Sequence, residues 1–151
     1  MYGLFRRLSS EFRIAIDDKQ VYEGKMLFAL CANARWYGGG YKGAPKAVPD
    51  DGLLDFVMVR KDFGRLKLAS LGGKYKRGEH LGWDFTTFVR GKKMVIESKN
   101  PAAVNVDGEC EYVTESTFTL LPGAIRIVVP DVQAYEQIVG ADRDPETVTV
   151  R

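Results

Sequence analysis

Residues 33–52 constrain this chain more than any other stretch. Three consecutive glycines (Gly38, Gly39, Gly40), two prolines (Pro45, Pro49) and the turn Asp50-Asp51-Gly52 crowd into them. Glycine opens left-handed backbone angles at an entropic cost and proline removes a donor, so neither a helix nor an unbroken strand can run through. On either side lie Val21–Ala32 and Leu53–Val59, the second apolar but for Asp55. Both have the length and composition of strands, which leaves a long loop of defined shape between them. Loops of that length with no element of their own are commonly functional. Here the glycines let a ligand approach the backbone, and Asp50 and Asp51 offer carboxylates to a hard cation.

The other segments point the same way. Phe12–Ile16 alternates as a half-buried strand does, Asp17-Asp18-Lys19-Gln20 supplies a hairpin turn, and Val21 starts the return strand. Further strands are expected at Phe85–Val89, Lys93–Glu97, Ala103–Val106, Thr117–Leu121 and Ala124–Val129, the last closed by Pro130. Asp62 is placed to cap a helix carrying Phe63, Leu66, Leu68, Ala69, Ser70 and Leu71, with Gly72-Gly73 ending or fraying it. Many short strands with Gly, Pro and Asn turns give a mainly β fold. The expected form is an antiparallel β-sandwich, two-sheet and barrel-like, with one or two short helices.

At 151 residues and 45% hydrophobic content, one globular domain is the simplest reading. No apolar run approaches the roughly 20 residues that cross a bilayer. Cys31 and Cys110 do not form a Cys-x-x-Cys pair and His80 is the only histidine, so a thiolate metal site is not expected; a disulfide is open to the two thiols but not implied, and reduced thiols are expected. The net charge is +2, unevenly spread. Residues 60–93 carry ten Lys/Arg against three Asp/Glu, whereas residues 107–151 carry nine Asp/Glu against three Lys/Arg. The basic middle could face anionic lipid headgroups, or it could be a solvated face balanced by the acidic tail.

Several ordered motifs carry a resemblance. Gly38-Gly39-Gly40, Ala44-Pro45-x-Ala47, Asp51-Gly52-Leu53-Leu54-Asp55, Gly78-Glu79-His80, Val106-Asp107-Gly108-Glu109 and Leu121–Pro130 resemble, in order and spacing, the C-terminal domain of the diacylglycerol kinase and sphingosine kinase-like lipid kinases. The bacterial soluble branch is the nearest match, over roughly residues 12–130. The family's nucleotide-binding half carries a Gly-Gly-Asp-Gly-Thr phosphate loop, and neither that nor another phosphate loop occurs here. The expectation is therefore that residues 1–151 form the lipid-substrate domain of a two-domain kinase. Its N-terminal nucleotide-binding domain is absent, and residues 131–151 form a tail that packs toward it.

The resemblance implies Mg²⁺ held by the Asp51 carboxylate with the carbonyls of Val48 and Leu53, leaving positions for water. The plainer reading of Asp50 and Asp51 is an Asx or type I turn. It further implies that Glu109 is the base that takes the proton of the attacking hydroxyl, with Asp107 as network partner or second choice. Solvated acids in a β-turn are the plainer alternative. Gly38, Gly39 and Gly40 would line the interdomain cleft as cofactor-binding backbone, with Asn33 fixing the loop. Trp36, Tyr37 and Tyr41 read equally as lipid contacts or core, and His80 as structural.

The expected reaction, as the resemblance implies, moves the γ-phosphoryl of ATP onto a lipid hydroxyl, diacylglycerol first. The isolated chain would be inactive, and the two acidic turns would share one cleft wall. The expected partners are its own N-terminal domain and the lipid at the membrane surface, without nucleic acid. An orphaned face could also self-associate as a homodimer. The expected location is cytoplasmic, peripheral to the inner face of the membrane. The alternatives are a noncatalytic Ca²⁺ and anionic-membrane-binding β-sandwich module, or the second domain of an NAD kinase-like enzyme.

Overall fold

The computed structural model describes residues 10–61 and 63–143. Six strands occur in the order β1 (Ser10–Ile16), β2 (Lys19–Ala32), β3 (Leu54–Arg60), β4 (Thr86–Gly91), β5 (Lys93–Val106) and β6 (Glu109–Thr119). Helix α1 (Arg65–Lys76) lies between β3 and β4, and α2 (Val132–Val139) follows β6. Every strand pair is antiparallel, and the sheet order is β4-β3-β2-β1-β5-β6. The mainly β antiparallel expectation holds, with two short helices. Hydrogen bonds link all six strands into one sheet that has to serve as both layers.

Strand β2 makes that possible. Its first half pairs with β1 and its second half with β3, with a register shift between Met26 and Phe28 where the partner changes. On the inner face, Ile14, Met26, Phe56 and Met58 are fully buried, joined by Ile16, Leu54, Val89 and Met94. Each side chain of that size contributes about 1.5–3 kcal/mol when removed from water. The opposite face of β3 and β4 packs Val57, Val59 and Phe88 against Leu81, Trp83 and Phe85. Burial on both faces of β3 explains why its sequence is nearly continuous in apolar residues rather than alternating. Leu81 to Phe85 cover one face, and on the other Val89 of β4 and Met94 of β5, which are not neighbours in the sheet, share one core cluster.

Five expected elements differ; the strand expected at Thr117–Leu121 starts instead at Glu109 and ends at Thr119. Helix α1 starts after Gly64, which gives no side-chain cap, and Asp62 lies outside the described residues. The helix passes through Gly72 and Gly73 and stops at Gly78. There φ is +82° and a Cβ would come within 2.8 Å of Pro45. Lys93–Glu97 and Ala103–Val106 are one strand, whose register slips between Glu97 and Ala102. Ala124–Val129 is not a strand. Ile125, Ile127 and Val128 are 79%, 66% and 88% exposed, so β propensity is present but no neighbour supplies a ladder. Among the described residues, no helix is long and apolar enough to cross a membrane.

Candidate functional site

The loop before β3 is held in place by two arginines. Arg90 on β4 lies directly across from Asp55 on β3, and its Nε donates to Asp55 Oδ1 at 3.0 Å. The same guanidinium donates to the carbonyls of Lys46 and Asp142. Arg35 donates through Nε to the Ala47 carbonyl at 3.0 Å and through Nη2 to Asp142 Oδ2 at 2.9 Å. The planar fork of arginine suits this multiple anchoring. Ala44, Ala47 and Val48 are consequently buried although they belong to a loop.

The carboxylates here are unequal. Asp55 is 2% exposed, and burial pushes its carboxyl up to about 6, with Arg90 opposing and the charges of Asp51 and Asp142 adding. The hydrogen bond from Arg143 is the main reason the Asp50 carboxyl lies below its usual range. Asp50 also accepts from Tyr135 Oη at 2.7 Å and from Arg143 Nη2 at 3.0 Å, which ties α2 to the loop. Asp51 Oδ1 accepts from the Leu53 amide at 2.8 Å, the Asx turn of the plainer reading. Asp51 Oδ2 is buried without a hydrogen-bond partner, as is Asp55 Oδ2.

An orphaned buried carboxylate oxygen is what a hard cation satisfies, so Asp51 fits the implied Mg²⁺. Val48 lies on the same turn, where the Asp51 amide points at its carbonyl across a long 3.4 Å. Among the described residues, no three acidic, histidine or cysteine side chains are grouped as metal ligands. An ion here would therefore lean on backbone carbonyls, Val48 and Leu53 included, and on water.

The glycine loop stands clear of this network. Tyr37 and Tyr41 pair as an isolated bridge, and Gly38, Gly39 and Gly40 form its exposed tip with φ of +22°, +64° and +82°. A Cβ on any of the three would meet nothing within 4 Å. Asn33 is exposed and makes no side-chain hydrogen bond among the described residues; Arg35 fixes the loop instead. His80 is fully buried and its Nε2 donates to the Gly43 carbonyl at 2.9 Å. Burial holds its pKa below the ordinary histidine range, so it is a neutral structural pin. Cys31 and Cys110 are free, and burial pushes the Cys31 thiol up to about 11.

Asp107 and Glu109 lie elsewhere. Asp107 (φ +49°) and Gly108 (φ +101°) are the two central residues of the β5–β6 hairpin, between paired Val106 and Glu109. Positive φ at both positions is the type I′ geometry that favours Asp-Gly. Residues 107–110 are all exposed. Past Ser98, β5 pairs with β6 alone, so this half of the hairpin projects from the sheet. The other end of the hairpin adjoins the Asp51 loop: Leu120 N donates to Lys92 O, next to Gly91, which pairs with Leu54. From Glu109 to Thr119 β6 covers eleven residues, about 33 Å if straight, and its pairing with β5 slips in register between Glu97 and Ala102. Among the described residues, no hydrogen bond or ion pair joins the two acidic turns.

Comparison with known proteins fits this geometry. Residues 4–129 match the family model described as the YegS C-terminal NAD kinase beta sandwich-like domain. The chain belongs to that family. It is 31% identical over 110 residues to a probable lipid kinase, YegS-like, of Stenotrophomonas maltophilia, covering 72% of this chain and 35% of the relative. A counterpart from Pseudomonas fluorescens is 34% identical over 115 residues, covering 73% and 36%. The chain thus spans about a third of the length of these relatives. A crystal structure of a diacylglycerol kinase from Bacillus anthracis superposes with a TM-score of 0.58 at 21% identity over 81% of this chain and 43% of that one. At that identity the likeness concerns the fold.

Sequence reading singled out the loop at Asp51 but missed Arg35, Arg90, Asp142, Tyr135 and Arg143, which hold it. Arg90 carried one signal, an arginine inside a strand whose neighbours Phe88 and Val89 are buried. A buried arginine requires an acid opposite.

Proposed function

We propose that this chain is the lipid-facing half of an ATP-dependent lipid kinase that phosphorylates a lipid hydroxyl, with diacylglycerol the first substrate to try. The observation that carries the reading is the family match across residues 4–129, which includes the Asp51 loop and the Asp-Gly-Glu hairpin. Such a reaction needs little covalent help from the protein and depends on positioning and charge stabilisation. Asp51, Val48 and Leu53 would hold Mg²⁺, whose contribution is to neutralise the buried carboxylate and brace the loop that carries the glycine tip.

Glu109 would act away from that ion. Its carboxylate, exposed on a projecting turn, would accept the proton of the lipid hydroxyl as the new O–P bond forms and the bond from the γ-phosphorus to ADP breaks. The nucleotide would come from a partner domain of the kind present in the longer relatives, with Asp107 orienting Glu109. That both acids are exposed and make no side-chain hydrogen bond or ion pair among the described residues supports a role completed by that partner.

The test is reconstitution. Residues 1–151 alone should transfer no label from [γ-³²P]ATP to diacylglycerol, and joining a relative's nucleotide-binding half should restore transfer. In the joined protein Glu109→Gln should lower kcat by about 10²–10⁴-fold, the usual contribution of a general base. Robust transfer by residues 1–151 alone, or an unchanged rate in the Gln variant, would overturn the proposal.

A further inference from the structure

One face of the molecule combines unpaired lysines with exposed aromatic rings. Lys42 N donates to Lys76 O at 3.1 Å, which fixes the glycine loop against the end of α1. Tyr37 and Tyr75 share a 2.8 Å hydroxyl contact, and Tyr41 packs against both rings at 6.1 Å. Trp36, Tyr37 and Tyr41 are nevertheless 58%, 49% and 38% exposed. Lys42 Nζ lies 5.5 Å above the Trp36 ring, and Lys76 Nζ 5.5 Å above Tyr41. Lys46, Lys74 and Arg77 are local in sequence to these, and the only acid within residues 63–83 is Glu79, already paired with Arg77. Lys42, Lys46, Lys74 and Lys76 form no ion pair among the described residues.

The geometry points to a docking surface for a bilayer carrying anionic headgroups, built from Trp36, Tyr37, Tyr41, Lys42 and Lys76 around the bare Gly38–Gly40 tip. Two features select a lipid over another polyanion. Tryptophan and tyrosine occupy the headgroup level of membranes, with the ring in the apolar boundary and the polar tip in water. A single-stranded nucleic acid would instead need open ring faces for stacking, and a lysine ammonium group already covers one face of each of Trp36 and Tyr41. The tip has no side chains, so the loop can approach the interface without steric obstruction. This deepens the lipid-kinase reading by naming the surface that meets the substrate's bilayer, and its test involves no phosphoryl transfer, so either can fail alone.

The experiment is co-sedimentation of the full 151-residue chain with phosphatidylcholine vesicles, with and without phosphatidylglycerol, followed by Trp fluorescence. Binding should require phosphatidylglycerol, weaken with salt and shift the emission to the blue, and the shift should vanish in Trp36→Phe. The variant Lys42→Glu/Lys76→Glu, with its fold checked by circular dichroism, should lose binding by roughly a hundredfold or more. If that variant does not fold, Lys42→Gln/Lys76→Gln should still give a loss of about tenfold or more. Equal binding to neutral vesicles, no binding at all, or retention in these variants with loss in Ile125→Ser/Val128→Ser would overturn the proposal. Equally tight binding of single-stranded oligonucleotide would also overturn it, in favour of a general polyanion surface.

Discussion

The turns Asp50-Asp51-Gly52 and Asp107-Gly108-Glu109 look alike in sequence and differ in almost every physical respect. Asp51 sits where Arg35 and Arg90 pin the loop, with one carboxylate oxygen buried and unanswered. Asp107 and Glu109 stand in water on a two-residue hairpin turn. The first turn is completed by this chain, and its acids are read from the arginines around them. The second is only presented by this chain, and any chemistry it has depends on what approaches it.

Removing the clamp should have the largest effect. Arg90→Ala would leave the Asp55 carboxylate buried opposite nothing and deprive the Lys46 and Asp142 carbonyls of a donor. Breaking one side of a buried pair in this way costs about 3–5 kcal/mol, measurable as a lower urea midpoint at constant slope. A loss below about 1 kcal/mol would place the pair in the class of exposed ion pairs and erase the contrast between the two turns.

The next effect depends on pH. Burial raises the Asp55 carboxyl to about 6, so the folded state binds this proton more readily than the unfolded chain. Its contribution to stability therefore rises as pH falls from about 6 to about 4, and is smallest above pH 6. His80 acts in the opposite sense. Its folded pKa is lowered by burial, so the unfolded chain takes up the proton first and stability falls as pH drops through the ordinary histidine range. The sum can look flat, and the test is the difference between two proteins. Asp55→Asn should lose the acid-side gain, so its unfolding midpoint should fall further than the parent's between pH 7 and 4. Matching pH profiles for the variant and the parent would mean that Arg90 keeps Asp55 ionised throughout.

A smaller effect compares the two glycines. Gly52 and Gly108 have φ of +75° and +101°, and a Cβ at either would meet nothing. An alanine at positive φ costs about 1–2 kcal/mol by itself. Held by the arginines, Gly52→Ala should show that full cost in global unfolding. At the projecting tip, Gly108→Ala can be relieved by fraying and should cost less. The reverse order would mean that the hairpin tip is the better-braced turn.

Particular residues show how far the sequence could be read. Alternation at Phe12–Ile16, Asp17-Asp18 at a tight turn and the apolar run of β3 placed strands correctly, because a period of two and turn chemistry are local properties. The closing strand Ala124–Val129 failed because a strand also needs a neighbour, which propensity does not report. Asp51 was legible as part of a spaced motif. Arg35, Arg90 and Asp142 were not, because they meet only when β2, β4 and the tail have been folded together, and Asp142 lies 107 residues from Arg35. Asn33 attracted the loop-fixing role by residue type, whereas burial gave that role to an arginine two positions on.

The smallest expected effect bears hardest on the second turn. Glu109 makes no ion pair among the described residues and is exposed, so Glu109→Gln should change the stability of residues 1–151 by no more than about 0.5 kcal/mol, as for other surface positions. The same substitution in the joined, nucleotide-binding protein is expected to cost most of the rate. A stability change near zero beside a large loss of kcat marks a group held ready for a reaction rather than for the fold. Were Glu109→Gln to destabilise the chain by about 2 kcal/mol instead, the carboxylate would have a structural partner here. The two acidic turns would then differ in degree and not in kind.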